Sequence, residues 1–245
     1  MLLLDADVEV LRQDGLGTGA EHLTFKRVFE QVMATSGVRV TNASVIGRIW
    51  ENQAEFQSAV LAAVASEEVT DQERAVMAAT AEFVATVDRS TVQSRRAALR
   101  EIVRIAAEAN LTTGTTSRGW ATVIGVWPLA SGSHVSGGSD PIYESMRASY
   151  AAIEERSVAA TEALLAFLGL RPRPPIDVRQ FTTACTALVE GYALRDRAGA
   201  GIRGIELGTG PGGAMQAWTV LGIGMEALAE QFFEFELDWT PEEAP

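Results

Sequence analysis

The segment LTFKRVFEQVMATSGVRVTNASVIGRIWENQAEFQSAVLAAV, residues 23–64, decides how the rest of the chain is read. Phe25, Val28, Phe29 and Val32 recur three and four residues apart, the interval that gathers side chains on one face of a helix. Gly37-Val38 then supplies a turn. Thr41 or Asn42 is placed to cap a second helix, predicted over Ala43 to Trp50. Asn52 starts a third, with Asn52-x-x-Glu55 as a capping pair ahead of Phe56, Val60 and Val64. Short helix, tight turn, short helix, long helix is the outline of a helix-turn-helix head.

Helical signals continue. Thr70-x-x-Glu73 and Ser90-x-x-Gln93 read as further capping boxes, the first before Val76, Thr80, Phe83 and Val87, the second before Leu99, Ile102, Val103 and Ala106. Asp140-Pro141 places a cap and a first-turn proline before Ile142, Met146, Tyr150 and Ile153, in a helix expected to run to Leu168 and stop at Gly169. The run RPRPP, Arg171 to Pro175, reads as a stiff linker, and Asp177 opens a helix through Phe181, Leu188, Val189 and Tyr192. A last helix is expected from about Ala214 to Leu237. No alternating run of five or more residues marks a strand. The expected fold is therefore all-α: a helix-turn-helix head over residues 1–66 and a helical domain over 67–245.

Composition bounds the function. With 47% hydrophobic and 21% charged residues the chain has ordinary globular composition, and no run of about 18 apolar residues predicts a membrane span. A single cysteine, Cys185, leaves no internal disulfide and suits a reducing compartment. The start MLLLDADVEV lacks the basic residues and long apolar core of a secretion signal, so a cytoplasmic location is expected. His22 and His134 have no cysteine or carboxylate at metal-ligand spacing, and SGSHVSGGSD lacks the G-x-S-x-G pattern of a nucleophile; neither metal nor cofactor is expected.

A net charge of -12 repels nucleic acid, so a nucleic-acid site must be a local patch. Residues 22–50 provide one: Lys26, Arg27, Arg39 and Arg48 stand against a single acid, Glu30, and Lys26 is the only lysine in the chain. Such cations hold phosphates, while residues early in a recognition helix read base edges. Asn42 and Ser44 lie early in the second predicted helix, and Arg48 one turn on. The same charges would also serve simply to solvate a helical surface.

The helix, the Gly37-Val38 turn, the helix closed by aromatic Trp50 and the polar pair Asn52-Gln53 resemble the DNA-binding head of TetR-family transcriptional regulators. Gly47 stands about where that family usually carries an aromatic residue. The later helices, with TALVEGYALR (Thr186 to Arg195) as the penultimate one, are similar to the family's sensor and dimerisation domain. The resemblance implies a ligand-responsive repressor that binds a palindromic operator in double-stranded DNA as a homodimer. It puts Lys26, Arg27, Arg39, Thr41, Asn42, Ser44, Val45 and Arg48 at the DNA. A helical sensor that has lost DNA binding is the alternative within the same fold.

For the ligand, WATVIGVWPLASG (Trp120 to Gly132) carries Trp120 and Trp127 seven apart, on one helical face, with Pro128 breaking the helix just after. Tyr143, Met146 and Tyr150 could form the opposite wall of a cavity, or all five could be plain core. No charged residue lies between Trp120 and Ser139, so a ligand here would be apolar.

The stretch GIELGTGPGG, Gly204 to Gly213, offers an enzymatic alternative. Glu206, Gly208, Gly210 and Gly212 are similar in spacing to the glycine loop of S-adenosylmethionine-dependent methyltransferases. That loop needs a preceding strand and a surrounding βαβ unit. Before Glu206 stands only GAGIRGI, and after Gly213 only one predicted helix and an acidic tail. A flexible connection between two helices is expected instead. On the last helix Trp218, Leu221, Met225, Leu228 and Phe232 form one apolar face, expected at the dimer interface.

Overall fold

The computed structural model describes residues 24–41, 45, 47–117, 120, 124, 141–200, 204–210 and 213–241. They are mostly helical, as the periodicity requires. In chain order the elements are α1 (Phe25–Ser36), α2 (Gln53–Thr86), α3 (Val92–Thr116), α4 (Pro141–Leu168), β1 (Leu170–Pro172), α5 (Val178–Arg197), β2 (Ile205–Leu207), β3 (Gln216–Trp218), α6 (Val220–Phe232) and β4 (Phe233–Phe235). Two compact units divide the chain: one takes Met1–Thr70 with Ser117–Ala152, the other Asp71–Thr116 with Ile153–Pro245. The expected helix within Leu3 to Gln13 lies outside the described residues.

Local signals account for most of the helix ends. The Thr24 hydroxyl accepts from the Arg27 N–H to start α1, and Gly37 ends it at φ 70°, a left-handed turn that glycine adopts without penalty. Asn52 Oδ1 accepts from the Glu55 N–H at 3.0 Å, while the Glu55 carboxylate accepts from the Glu51 N–H at 2.6 Å, so the expected capping pair starts α2. Asp177 and Gln180 form a reciprocal capping box on α5. Pro141 opens α4 and Gly169 follows it at φ +59°, at the boundaries the sequence predicts.

Elsewhere the elements differ from expectation. Thr70-x-x-Glu73 starts nothing: α2 runs unbroken from Gln53 to Thr86. A Thr-x-x-Glu pair caps only where the chain is not already helical, and no glycine or proline interrupts residues 53–86. The start of α3 is one residue later than predicted: the Thr91 and Ser94 hydroxyls accept from each other's N–H, both at 3.0 Å. The RPRPP run is no simple linker, because Arg171 and Pro172 belong to β1, which pairs antiparallel with β4 (Leu170 with Phe235, Arg171 with Glu234, Pro172 with Phe233). The last helix is shorter than Ala214 to Leu237. It spans Val220–Phe232, between β3 and β4, and Thr219 caps it by accepting from the Gly222 N–H.

In the second unit, α3, α5 and α6 pack against one another, and the β1–β4 ribbon closes one side. Leu99, Ile102 and Val103 of α3, Leu165 and Leu168 of α4, Leu170, Val178, Ala229 and Phe233 form its buried cluster. The Phe181 ring meets Phe233 edge-on at 4.6 Å between centroids. Beside this cluster a charged group is buried. Arg95 is 2% exposed. Its Nη1 donates to the Leu168 and Gly169 carbonyls at 3.1 and 3.3 Å, its Nη2 to the Glu236 carbonyl at 2.8 Å. The guanidinium also lies 4.7 Å from the Trp239 ring centroid. Carbonyls at a helix C-terminus carry partial negative charge, which offsets part of the cost of burying the cation.

Candidate functional site

Residues 1–66, expected to form the head, fall within the first unit. Phe25, Val28 and Val32 on α1, Val45, Trp50, and Phe56 and Val60 on α2 are buried. The rings of Phe25 and Phe56 stand 4.5 Å apart, and Trp50 meets Phe56 edge-on at 5.0 Å. Trp50, read from the resemblance as the end of the recognition helix, is a core anchor. Val45, expected at the DNA, is 1% exposed and belongs to this core. That is a correction, and burial of a β-branched apolar side chain explains it.

The four cations of the head are all exposed. Lys26 makes only a loose pair with Glu30 one turn along α1, at 4.0 Å with both side chains largely in solvent. Arg39 follows the Gly37 turn and Arg48 lies in a second turn. Thr41 is exposed, while Asn42 and Ser44 lie outside the described residues. The helix predicted from Ala43 does not run to Trp50. Gly47 takes φ +75°, its N–H donates to the Trp50 carbonyl at 2.8 Å, and residues 47–49 form a turn. A left-handed residue cannot continue an α-helix, and glycine at this position is what permits the break.

Of the expected ligand-site residues, Trp120 and Met146 are 5% and 1% exposed, in the same unit as the head. Tyr143 and Tyr150 on α4 are half-buried, and Trp127 lies outside the described residues.

The glycine stretch joins two paired strands, not two helices as expected. β2 and β3 pair antiparallel (Ile205 with Trp218, Glu206 with Ala217, Leu207 with Gln216), so Gly208, Gly210 and Gly213 lie between the two strands of a hairpin. A cofactor loop joins a strand to a helix; this one joins two antiparallel strands. The loop is also constrained. Gly210 donates to the Ala214 carbonyl at 2.9 Å, and a Cβ on Gly210 would meet that same oxygen at 2.9 Å. Trp218 Nε1 donates to the Thr209 hydroxyl at 2.8 Å, which in turn donates to Gln216 Oε1 at 2.8 Å. Gln216 Nε2 reaches Glu101 on α3 at 3.1 Å. Hydrogen bonding to Glu101 raises the Arg104 pKa above its ordinary value.

The expected dimer face separates into two groups. Trp218 belongs to β3 rather than to the last helix, and Trp218 and Leu221 are 1% and 0% exposed within their own unit. They have no surface left for a second chain. Met225, Leu228 and Phe232 on α6 are half-buried, with Met225 and Phe232 packed on the unit's core.

The second unit also holds a cleft of about 510 Å³ that no motif announces. Leu99, Leu170, Ala229 and Phe233 floor it, with Arg96, Arg100, Arg173, Glu226, Glu230 and Glu234 among its lining. These residues come from α3, the β1–β4 ribbon with Arg173 just after β1, and α6, too far apart in sequence for a local pattern. Among the described residues, no group of three or more His, Cys, Asp or Glu is placed to hold a metal, and no helix is long and apolar enough to cross a membrane. In comparisons with known proteins, no family model, curated protein or solved structure matches the chain.

Proposed function

We propose that the chain is a TetR-like transcriptional regulator, a repressor that binds a palindromic operator in double-stranded DNA as a homodimer and releases it when a small ligand binds. The observation that carries this reading is the arrangement of the head. Lys26, Arg27, Arg39 and Arg48 are exposed over a closed aromatic core, in a chain whose net charge is -12. A basic patch on an acidic protein is what phosphate binding requires. The buried Trp120 and Met146, with half-buried Tyr143 and Tyr150, support an apolar ligand site in the same unit. The half-buried Met225, Leu228 and Phe232, with exposed Leu194, Ile205 and Met215, supply apolar surface in the second unit for two-fold pairing.

The test is a gel shift with the DNA upstream of the chain's own gene, across a salt series. Lys26→Ala should weaken binding to all sequences alike and flatten the salt dependence by about one ion per subunit. Arg48→Ala should cost about 1–3 kcal/mol on the operator and less on unrelated DNA, as a base contact would. Wild-type binding by both variants refutes the assignment.

One observation favours a second reading, a ligand sensor without DNA binding. The turn at residues 47–49 shortens the segment that would enter a major groove. Loss of all gel shifts at low salt, together with a retained response to ligand, would select it.

A further inference from the structure

We propose that the cleft bounded by α3, α6 and the β1–β4 ribbon binds an apolar zwitterion, of the class of a dipeptide with both termini free. The inference does not rest on DNA binding or on the Trp120 region.

The balance of charge in the lining carries it. Arg96, Arg100 and Arg173 stand against Glu226, Glu230 and Glu234, so the lining is neutral in sum. Pairing removes two of each sign. Arg100 pairs with Glu226. Glu234 takes Arg173 at 3.6 Å, and Arg171 from outside the lining at 2.7 Å. One cation and one anion are left. Arg96 on α3 and Glu230 on α6 have no ion-pair partner among the described residues.

The two helices place these leftover charges in register. α3 and α6 run antiparallel: a Cβ on Gly222 would meet Ala107 at 3.4 Å, Arg100 pairs with Glu226, and Arg96 lies beside Phe235, just past the end of α6. Arg96 is one helical turn before Arg100, and Glu230 one turn after Glu226. Neighbouring turns thus carry one closed Arg–Glu pair and one open pair, both in the wall of the same cleft. The open pair gains little by closing, because an ion pair between exposed side chains is worth about 0–1 kcal/mol. Arg96 is steadied by Phe235, whose ring centroid is 5.6 Å from the guanidinium carbon, and this contact leaves its N–H edges free for a carboxylate.

The rest of the cleft selects the body of the ligand. Its floor is the apolar set Leu99, Leu170, Ala229 and Phe233, each buried, and its volume of about 510 Å³ falls within the range of small-molecule sites, about 300–1,000 Å³. A zwitterion with apolar side chains gives its carboxylate to Arg96, its ammonium to Glu230 and its side chains to the floor. A monoanion leaves Glu230 opposing it, and a monocation leaves Arg96 opposing it. The two charges of a free amino acid sit on one carbon. Those of a dipeptide stand up to about 7 Å apart, closer to the about 8–10 Å between the axes of packed helices.

The experiment is isothermal titration calorimetry of the full chain with leucyl-leucine. The controls are its N-acetyl form, its C-terminal amide and free leucine. Leucyl-leucine is expected to bind with a Kd below about 1 mM, and each control at least about tenfold more weakly. Arg96→Gln should weaken leucyl-leucine about fivefold or more and abolish its advantage over the amide. Glu230→Gln should weaken it similarly and abolish its advantage over the N-acetyl form. Both side chains are exposed, and circular dichroism identifies a variant that fails to fold. The blocked peptides test the charge requirement on the unaltered chain. Leucyl-leucine that gives no heat up to 10 mM (about tenfold above the expected Kd) overturns the proposal. So does any control that binds as well as leucyl-leucine, or an affinity unchanged in both variants.

Discussion

Replacing Gly169 by alanine should destabilise the unit that contains it by about 2–5 kcal/mol, and the structure separates the two parts of that cost. Gly169 ends α4 with φ +59°. Alanine in the left-handed region costs about 1–2 kcal/mol. A Cβ there would also overlap Arg95 Nη1 and the Trp239 ring, coming within 2.5 Å of Trp239 Cδ2. Arg95 cannot swing away at little cost. It is 2% exposed, and its three hydrogen bonds go to carbonyls at the end of α4 and in the C-terminal segment. Overpacking of this kind costs about 1–3 kcal/mol. Gly199 provides the control, with φ +75° and nothing within 4 Å of a built Cβ. Gly199→Ala should therefore lose the backbone part alone, about 1–2 kcal/mol. Urea unfolding followed by circular dichroism measures both variants against the unaltered chain. The reasoning fails if Gly169→Ala loses no more than Gly199→Ala, within about 0.5 kcal/mol, because the Arg95–Trp239 contact would then be loose enough to absorb a methyl group.

Two further predictions concern buried polar groups. Thr209→Val leaves Trp218 Nε1 and Gln216 Oε1 without their partner and should cost about 1–3 kcal/mol, with Thr209→Ser recovering most of it; equal losses in the two variants would show that the hydroxyl is not what matters. Burial pushes the Cys185 thiol from 9.0 up to about 12, so the folded chain holds this proton more tightly than the unfolded one. That stabilisation is complete below pH 9 and is lost as pH rises from 9 towards 12, at most about 4 kcal/mol. Urea midpoints between pH 8 and 10.5 should fall more steeply for the unaltered chain than for Cys185→Ala, and parallel slopes would refute the assignment.

Helix identity and most helix ends were legible in the residues because they rest on neighbours three or four positions apart. Thr24 with Gly37, Asn52 with Glu55, Asp177 with Gln180, and Pro141 with Gly169 act within a turn or at the ends of one helix. The same locality explains the error at Thr70, where a capping pattern occurs inside a helix that had no reason to stop. It also explains Val45 and Trp218. Each stands at a spacing that suits an outward helical face, yet burial is decided by what arrives from elsewhere in the chain. Arg171 and Glu234 are 63 residues apart, and no periodicity within either segment announces that they pair. Strands of three residues are too short to show alternation, so β1 with β4 and β2 with β3 emerged only from tertiary pairing. The basic head could be read from composition because its four charges fall within residues 22–50. The cleft could not, because α3, the ribbon and α6 contribute one or a few residues each. What the sequence determined by itself was local backbone conformation, through caps, turns and helical periodicity. Only the tertiary structure decided which apolar groups are buried, which glycines are tightly approached, and which arginines gather around Phe235, since those depend on contacts between segments that are distant along the chain.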